Sequence, residues 1–140
     1  MRVQDAMTKN ATYIPAAMTL DDAARKMREL NSGFLPIADA NEKKLQGVVT
    51  DRDIVLRAVA EGLDPARTSV EEVKSDAVLF CFQDDDVEKA ARHMHDQQIY
   101  RLVVLDDSKH KHLCGVITLG DIAREHDAAT VGKTAAGIAA

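Results

Sequence analysis

The 140-residue chain has no tryptophan and only 4% aromatic residues. Combined with a net charge of -5, this scarcity removes the basic, aromatic-studded surface that nucleic-acid binders use to displace counterions and stack bases. No nucleic-acid partner is expected. Cysteine is scarce as well: Cys81 and Cys114 are too few for a disulfide scaffold and read as thiols in a reducing compartment. Apolar runs such as Leu102–Leu105 are short against the roughly 18 residues a membrane span needs. The opening residues Met1-Arg2-Val3-Gln4-Asp5 lack the apolar segment of a secretory signal, so a cytoplasmic location is expected. Seven glycines and three prolines do not make a collagen-like or low-complexity chain. Nucleophile elbows, phosphate-cradling glycine loops and zinc-protease histidine pairs are missing, and no enzyme is expected.

What the chain has is itself, twice. Val3, Ala23, Ala24, Arg25, Met27, Leu35 and Asp39 recur 67 positions later as Val70, Ala90, Ala91, Arg92, Met94, Leu102 and Asp106. After a charged loop the offset becomes 68, giving Leu45/Leu113, Gly47/Gly115, Val48/Val116, Thr50/Thr118, Asp53/Asp121 and Ile54/Ile122. Identities that hold one offset on each side of a single-residue insertion mark two homologous repeats. Residues 1–69 hold 10 Lys+Arg against 10 Asp+Glu and residues 70–140 hold 8 against 13. The second half therefore carries the whole net charge.

Each repeat predicts the order β-α-β-β-α. An extended segment (Thr12 to Ile14; Leu79 to Phe82) precedes a helix with small and apolar residues at helical spacing. Thr19 to Asp22 and Asp84 to Asp86 supply its start signals. Two strands follow, Phe34 to Ala38 with Leu45 to Thr50, and Leu102 to Leu105 with Leu113 to Thr118. A last helix ends at Gly62 in the first copy and begins near Leu119 in the second. The expected organisation is a first repeat over 1–62, a connector over 63–69, a second repeat over 70–127 and a flexible tail over 128–140. The fold class is α+β, with tandem repeats packed about a pseudo-twofold axis because neither alone buries enough surface.

The string Gly-Val-[Val/Ile]-Thr-x-x-Asp-Ile ends the last strand of each repeat, at residues 47–54 and 115–122. Two readings of it stand. As a capping box, the Thr oxygen and the Asp carboxylate satisfy backbone N–H groups at the helix start. As a binding site, the Thr hydroxyl donates to a phosphate or sugar oxygen, the carboxylate accepts from ribose hydroxyls, and the helix start favours an anion.

The doubled motif in its β-α-β-β-α setting resembles the cystathionine β-synthase (CBS) domain, found in tandem pairs called Bateman modules, over residues 1–126. The Thr50-Asp51-Arg52-Asp53-Ile54 wording is similar to small stand-alone bacterial pairs without a catalytic domain. The resemblance implies a non-catalytic regulatory module whose two clefts take AMP, ADP, ATP or S-adenosylmethionine, AMP foremost, and which forms a homodimer and signals to a downstream protein. It further implies ribose contacts from Asp53 and Asp121 and ribose or phosphate contacts from Thr50 and Thr118. Adenine would be lined by Tyr13-Ile14-Pro15 and Phe80-Cys81-Phe82, and phosphate approached by Arg101 and Arg52. A surface salt bridge accounts equally well for either arginine. The alternatives are a structural dimerisation or interaction module without ligand, and a metal- or redox-responsive CBS protein.

The copies differ where it matters. Phe34 stands opposite Arg101, Gly120 opposite Arg52, and Val103 opposite Pro36, so the two sites are not expected to be equivalent. All five histidines lie in the second repeat. His110, His112 and Cys114 alternate up to a strand and share a face that would suit a transition metal. Solvated loop histidines and a buried thiol explain them as well, and no metal is expected.

Overall fold

The computed structural model describes residues 1–75, 78–125, 132 and 135–138. In chain order the elements are α1 (Val3–Ala6), β1 (Thr8–Lys9), α2 (Leu20–Leu30), β2 (Phe34–Ala38), β3 (Leu45–Thr50) and α3 (Asp51–Ile54), which runs on as a π-turn over Val55–Val59. A 3₁₀ turn at Val70–Glu72 leads to β4 (Phe80–Phe82), α4 (Val87–Gln97), β5 (Arg101–Leu105), β6 (Leu113–Thr118) and α5 (Leu119–Glu125). The fold is α+β, and the β-α-β-β-α order is met apart from the first strand. There only Ile14 makes a bridge, to Ile37, because Pro15 has no N–H to continue the ladder.

The long helices follow their sequence signals. Thr19 accepts from the Asp22 N–H at 3.3 Å to open α2, and Leu20, Ala23 and Met27 recur on its buried face. Val87, Ala90, Ala91 and Met94 do the same for α4. Both helices close on a left-handed residue, Asn31 at φ 51° and its repeat mate Gln98 at φ 58°. The α3 π-turn stops at Gly62, φ +73°, where only glycine adopts the conformation without cost.

Contacts divide the chain into two compact units, Thr12–Val78, and Met1–Ala11 together with the chain from Leu79 onward. These are not the sequence repeats, because each repeat's leading segment packs in the unit built by the other. Val3 donates to the Asp85 carbonyl at 2.8 Å, and its mate Val70 donates to Met18 at 2.8 Å. Arg2 bridges Asp86 as Ser69 bridges Thr19. Thr8 pairs with Val116 in β6, and Ser75 bridges Val48 in β3. The repeated glycines are explained here. A Cβ on Gly115 would lie 2.3 Å from the Thr8 carbonyl oxygen, and one on Gly47 would lie 3.0 Å from that of Ser75.

In the Thr12–Val78 unit, β2 and β3 pair from Phe34↔Thr50 to Ala38↔Leu45. The core beneath them gathers Ile14, Leu20, Ala23, Met27, Leu35, Ile37, Val49, Ala58 and Val70. In the other unit the sheet order is β1-β6-β5-β4, with Arg101↔Thr118 at one end of the β5–β6 ladder and β4 parallel to β5. Its core holds Val3, Cys81, Val87, Ala90, Met94, Leu102, Val104, Ile117 and Ile122.

The expected flexible tail, 128–140, lies mostly outside the described residues. Within it, Ala135–Ile138 fold back on α4: Gln98 Nε2 donates to the Gly137 carbonyl, and Ile138 is buried in the core. No helix among the described residues is long and apolar enough to cross a membrane.

Candidate functional site

Strand pairing delivers each Thr to the end of a ladder, where the chain must turn into a helix. Thr50 and Thr118 take extended or capping positions, and both reciprocal boxes close. Asp53 N donates to Thr50 Oγ1 at 3.1 Å and Thr50 N to Asp53 Oδ2 at 3.0 Å. The second copy matches, at 3.0 Å and 2.9 Å. The boxes therefore have the local role that their spacing suggests. They do not exhaust the side chains. A Thr oxygen that accepts still has its proton to donate, and each carboxylate uses only Oδ2, leaving Oδ1 as an acceptor.

The two Oδ1 atoms have different neighbours. Asp121 is buried, and its Oδ1 takes a charge-assisted hydrogen bond from Arg124 Nη2. Asp53 Oδ1 lies 4.0 Å from Arg57 Nε, while Arg57 Nη1 donates to the carbonyls of Val73 at 3.3 Å and Lys74 at 3.1 Å.

A pocket of about 370 Å³ opens beside the second motif, lined by Tyr100, Arg101, Thr118, Leu119, Gly120 and Ala123. Arg101 reaches it because it is the register partner of Thr118. Leu119 is fixed there by its N–H to the Tyr100 carbonyl, 2.8 Å. Tyr100 is 48% exposed. An aromatic side chain, a cation and a hydroxyl-bearing residue thus line one opening. In the first copy Arg52 is exposed at the start of α3, and Gly33 replaces Tyr100, with the Asp51 carboxylate 2.4 Å from where a Cβ on Gly33 would be.

The two expected adenine-lining triplets divide by strand alternation. Ile14 and Cys81 turn into the cores, so their side chains do not line a ligand surface. Tyr13 and Pro15 face away from the core, as do Phe80 and Phe82, which meet edge to face with centroids 5.6 Å apart. Phe80 pairs with Val103 in the middle of β5, and Phe82 with Leu105 at the end away from Arg101. Burial, with the Asp85 carboxylate second, pushes the Cys81 thiol up to about 12.

His110 and His112 do come together, stacked with ring centroids 5.6 Å apart. Cys114 does not join them. Its Sγ turns to the His112 carbonyl at 3.7 Å and lines a separate opening with Met7 and Lys9.

The CBS domain model matches this chain at residues 3–59 and again at 70–127. The chain is a tandem pair of CBS domains. Hypoxic response protein 1 of Mycobacterium tuberculosis is 35% identical over 121 residues, 86% of this chain and 82% of that protein. A crystal structure of that protein with two coordinated zinc ions superposes with TM-score 0.79 at 31% identity, covering 91% of this chain and 100% of the other. The CBS pair of MJ0100, solved with 5′-methylthioadenosine and S-adenosyl-L-methionine, gives TM-score 0.74 at 27% identity, covering 89% and 94%. CBSX2 in complex with AMP gives 0.74 at 26%, covering 89% and 94%.

Within this CBS pair, sequence reasoning missed Tyr100, Leu119, Ala123 and Arg124. Tyr100 carried a signal, as an aromatic beside Arg101 in an aromatic-poor chain. Arg124 carried none, since its repeat mate is Leu56.

Proposed function

We propose that this CBS pair is a non-catalytic regulatory module that binds an adenosine compound, AMP foremost and ATP or S-adenosylmethionine as alternatives, at its Thr-x-x-Asp motifs. The observation that carries the reading is the second motif. Its box leaves the Thr118 proton for a sugar hydroxyl and Asp121 Oδ1 as an acceptor that a sugar hydroxyl takes over from Arg124, beside a pocket holding Tyr100 and Arg101. Thr50 and Asp53 are the corresponding groups of the first, where Arg52, opposite Gly120, is the cation beside the motif. The adenosine ligands held by the MJ0100 pair and by CBSX2 support the choice of class.

Signalling follows from differential affinity: a ligand shifts the population toward the conformation that it binds better. The module acts in the cytoplasm as a homodimer and reports to a downstream protein. The apolar side chains Val55, Leu56 and Val59, 54%, 47% and 61% exposed on the α3 turn, support a self-association surface.

A second reading, an interaction module whose motifs are caps alone, is favoured by the closure of both boxes. Thermal melts separate the two. A ligand that binds the folded state raises the melting temperature with concentration, so nucleotide-stripped protein is expected to melt higher with AMP, ADP, ATP or S-adenosylmethionine. Superimposable melts at millimolar concentrations of all four would favour the cap-only module.

A further inference from the structure

The β5–β6 hairpin loop brings two carboxylates and two imidazoles together outside the Thr-x-x-Asp motifs. The ligand atoms of Asp106, Asp107 and His110 all lie within 4.8 Å of one another. Each aspartate is held by backbone N–H groups through one oxygen. Asp106 Oδ1 accepts from Asp107 N at 2.7 Å and His112 N at 2.8 Å. Asp107 Oδ1 accepts from Lys109 N at 3.0 Å and His110 N at 2.7 Å. Asp106 then presents Oδ2 to His112 Nδ1 at 3.0 Å, and His110 Nδ1 lies 3.0 Å from both oxygens of Asp107.

The first repeat shows that the turn itself does not need this set. There Ala40, Glu42 and Lys44 replace Asp107, His110 and His112, yet the hairpin forms with the same left-handed residue, Lys43 at φ 55° against Lys111 at φ 56°. Both oxygens of Asp39 go to backbone donors, Glu42 N at 2.6 Å and Lys44 N at 3.2 Å. The second repeat frees one oxygen of Asp106, adds a second carboxylate and faces both with imidazoles. Turn formation explains none of these three changes.

We propose that this loop binds a divalent transition metal of the Zn²⁺ class, with Asp106, Asp107 and His110 as ligands and His112 orienting Asp106. Imidazole with carboxylate suits such metals, whereas Mg²⁺ and Ca²⁺ prefer all-oxygen sites. Zinc–oxygen and zinc–nitrogen bonds of about 2.0–2.2 Å require only rotamer-scale closure of donors already this near. The exposed loop leaves a position for water, and the His112–Asp106 contact is the kind that fixes a ligating carboxylate. The site differs from the His110, His112 and Cys114 set that strand alternation suggests, because Cys114 lines a separate opening.

Calorimetric titration of untagged, chelator-treated full-length protein with Zn²⁺ tests this. One equivalent is expected to bind, undisturbed by millimolar Mg²⁺. His110→Ala and Asp107→Asn are each expected to weaken binding at least tenfold, His112→Ala by about 10–100-fold as an orienting partner, and His93→Ala not at all. Melting curves of the metal-free variants are expected to match the wild type, since the side chains lie on a turn that the first repeat makes without them. Absence of zinc binding by the wild type, or stoichiometric binding that survives the His110→Ala and Asp107→Asn changes, overturns the proposal. Neither outcome depends on nucleotide binding.

Discussion

Arg124 holds the one oxygen of Asp121 that the capping box leaves over. The corresponding position of the first repeat is Leu56, and Arg57, one residue on, gives its Nη1 to the Val73 and Lys74 carbonyls instead. A sugar hydroxyl must displace Arg124 to reach Asp121. Arg124→Ala is therefore expected to tighten binding of uncharged adenosine at the second motif severalfold, with Arg57→Ala having a smaller effect. Adenosine is the right probe because it has no phosphate for either arginine to attract. Weaker adenosine binding by Arg124→Ala would remove the competition from the account.

Arg101 shares the pocket with Thr118 through strand register. Hydrogen bonds to charged groups contribute about 1.5–3 kcal/mol, so Arg101→Ala should cost AMP roughly tenfold or more in affinity while adenosine is little affected. Titrating both ligands into both proteins gives the comparison. Equal losses for AMP and adenosine would place Arg101 away from the phosphate.

The exchange of leading segments makes a stability prediction that is specific to place. Val3 and Val70 are both fully buried, in different units. Trimming either to Ala removes two methyl groups and leaves a small cavity, a cost of about 2 kcal/mol. Amide exchange should then quicken in β5 and β6 for Val3→Ala, and in β2 and β3 for Val70→Ala. The reverse pattern would contradict the exchange.

Cys81 bears on pH. Burial raises the thiol from 9.0 to about 12 in the folded chain, so the folded state holds this proton more tightly than the unfolded one. Its contribution to stability is present below pH 9 and is lost as pH rises from there toward 12. The stability difference between wild type and Cys81→Ala should accordingly shift against the wild type across that window, as followed by urea unfolding. In the native protein at pH 8 Cys81 should resist alkylation, and react once unfolded. A pH-independent difference would mean that the thiol is more hydrated than its burial indicates.

Much of the architecture was legible because the repeat offset, the helix signals and the Gly-Val-x-Thr ends of the strands are local patterns. The paired hairpins, the Gly62 stop and the family follow from them. The swapped leaders were not legible, because self-similarity says that Val3 corresponds to Val70 but not which core receives it. Alternation separates Ile14 and Cys81, whose side chains face the cores, from their neighbours, so within each triplet the central residue has only its backbone groups to offer a ligand. Of His110, His112 and Cys114 only the two histidines meet, and the carboxylates that face the imidazoles come from the other limb of the hairpin, brought near by a turn that periodicity does not encode. Arg124 was invisible because its role depends on a helix rotamer at a position where the repeats differ.

The central claim is that the Thr118–Asp121 box is also a ligand site, and calorimetric titration of nucleotide-free protein with AMP tests it most directly when wild type and Asp121→Asn are compared. Asn keeps an oxygen to accept from Thr118 N but loses the charge offered to ribose hydroxyls. The account predicts saturable binding by the wild type and at least tenfold weaker binding by Asp121→Asn, with little change in melting temperature. No heat at millimolar AMP, or equal affinity for the two proteins, would contradict it.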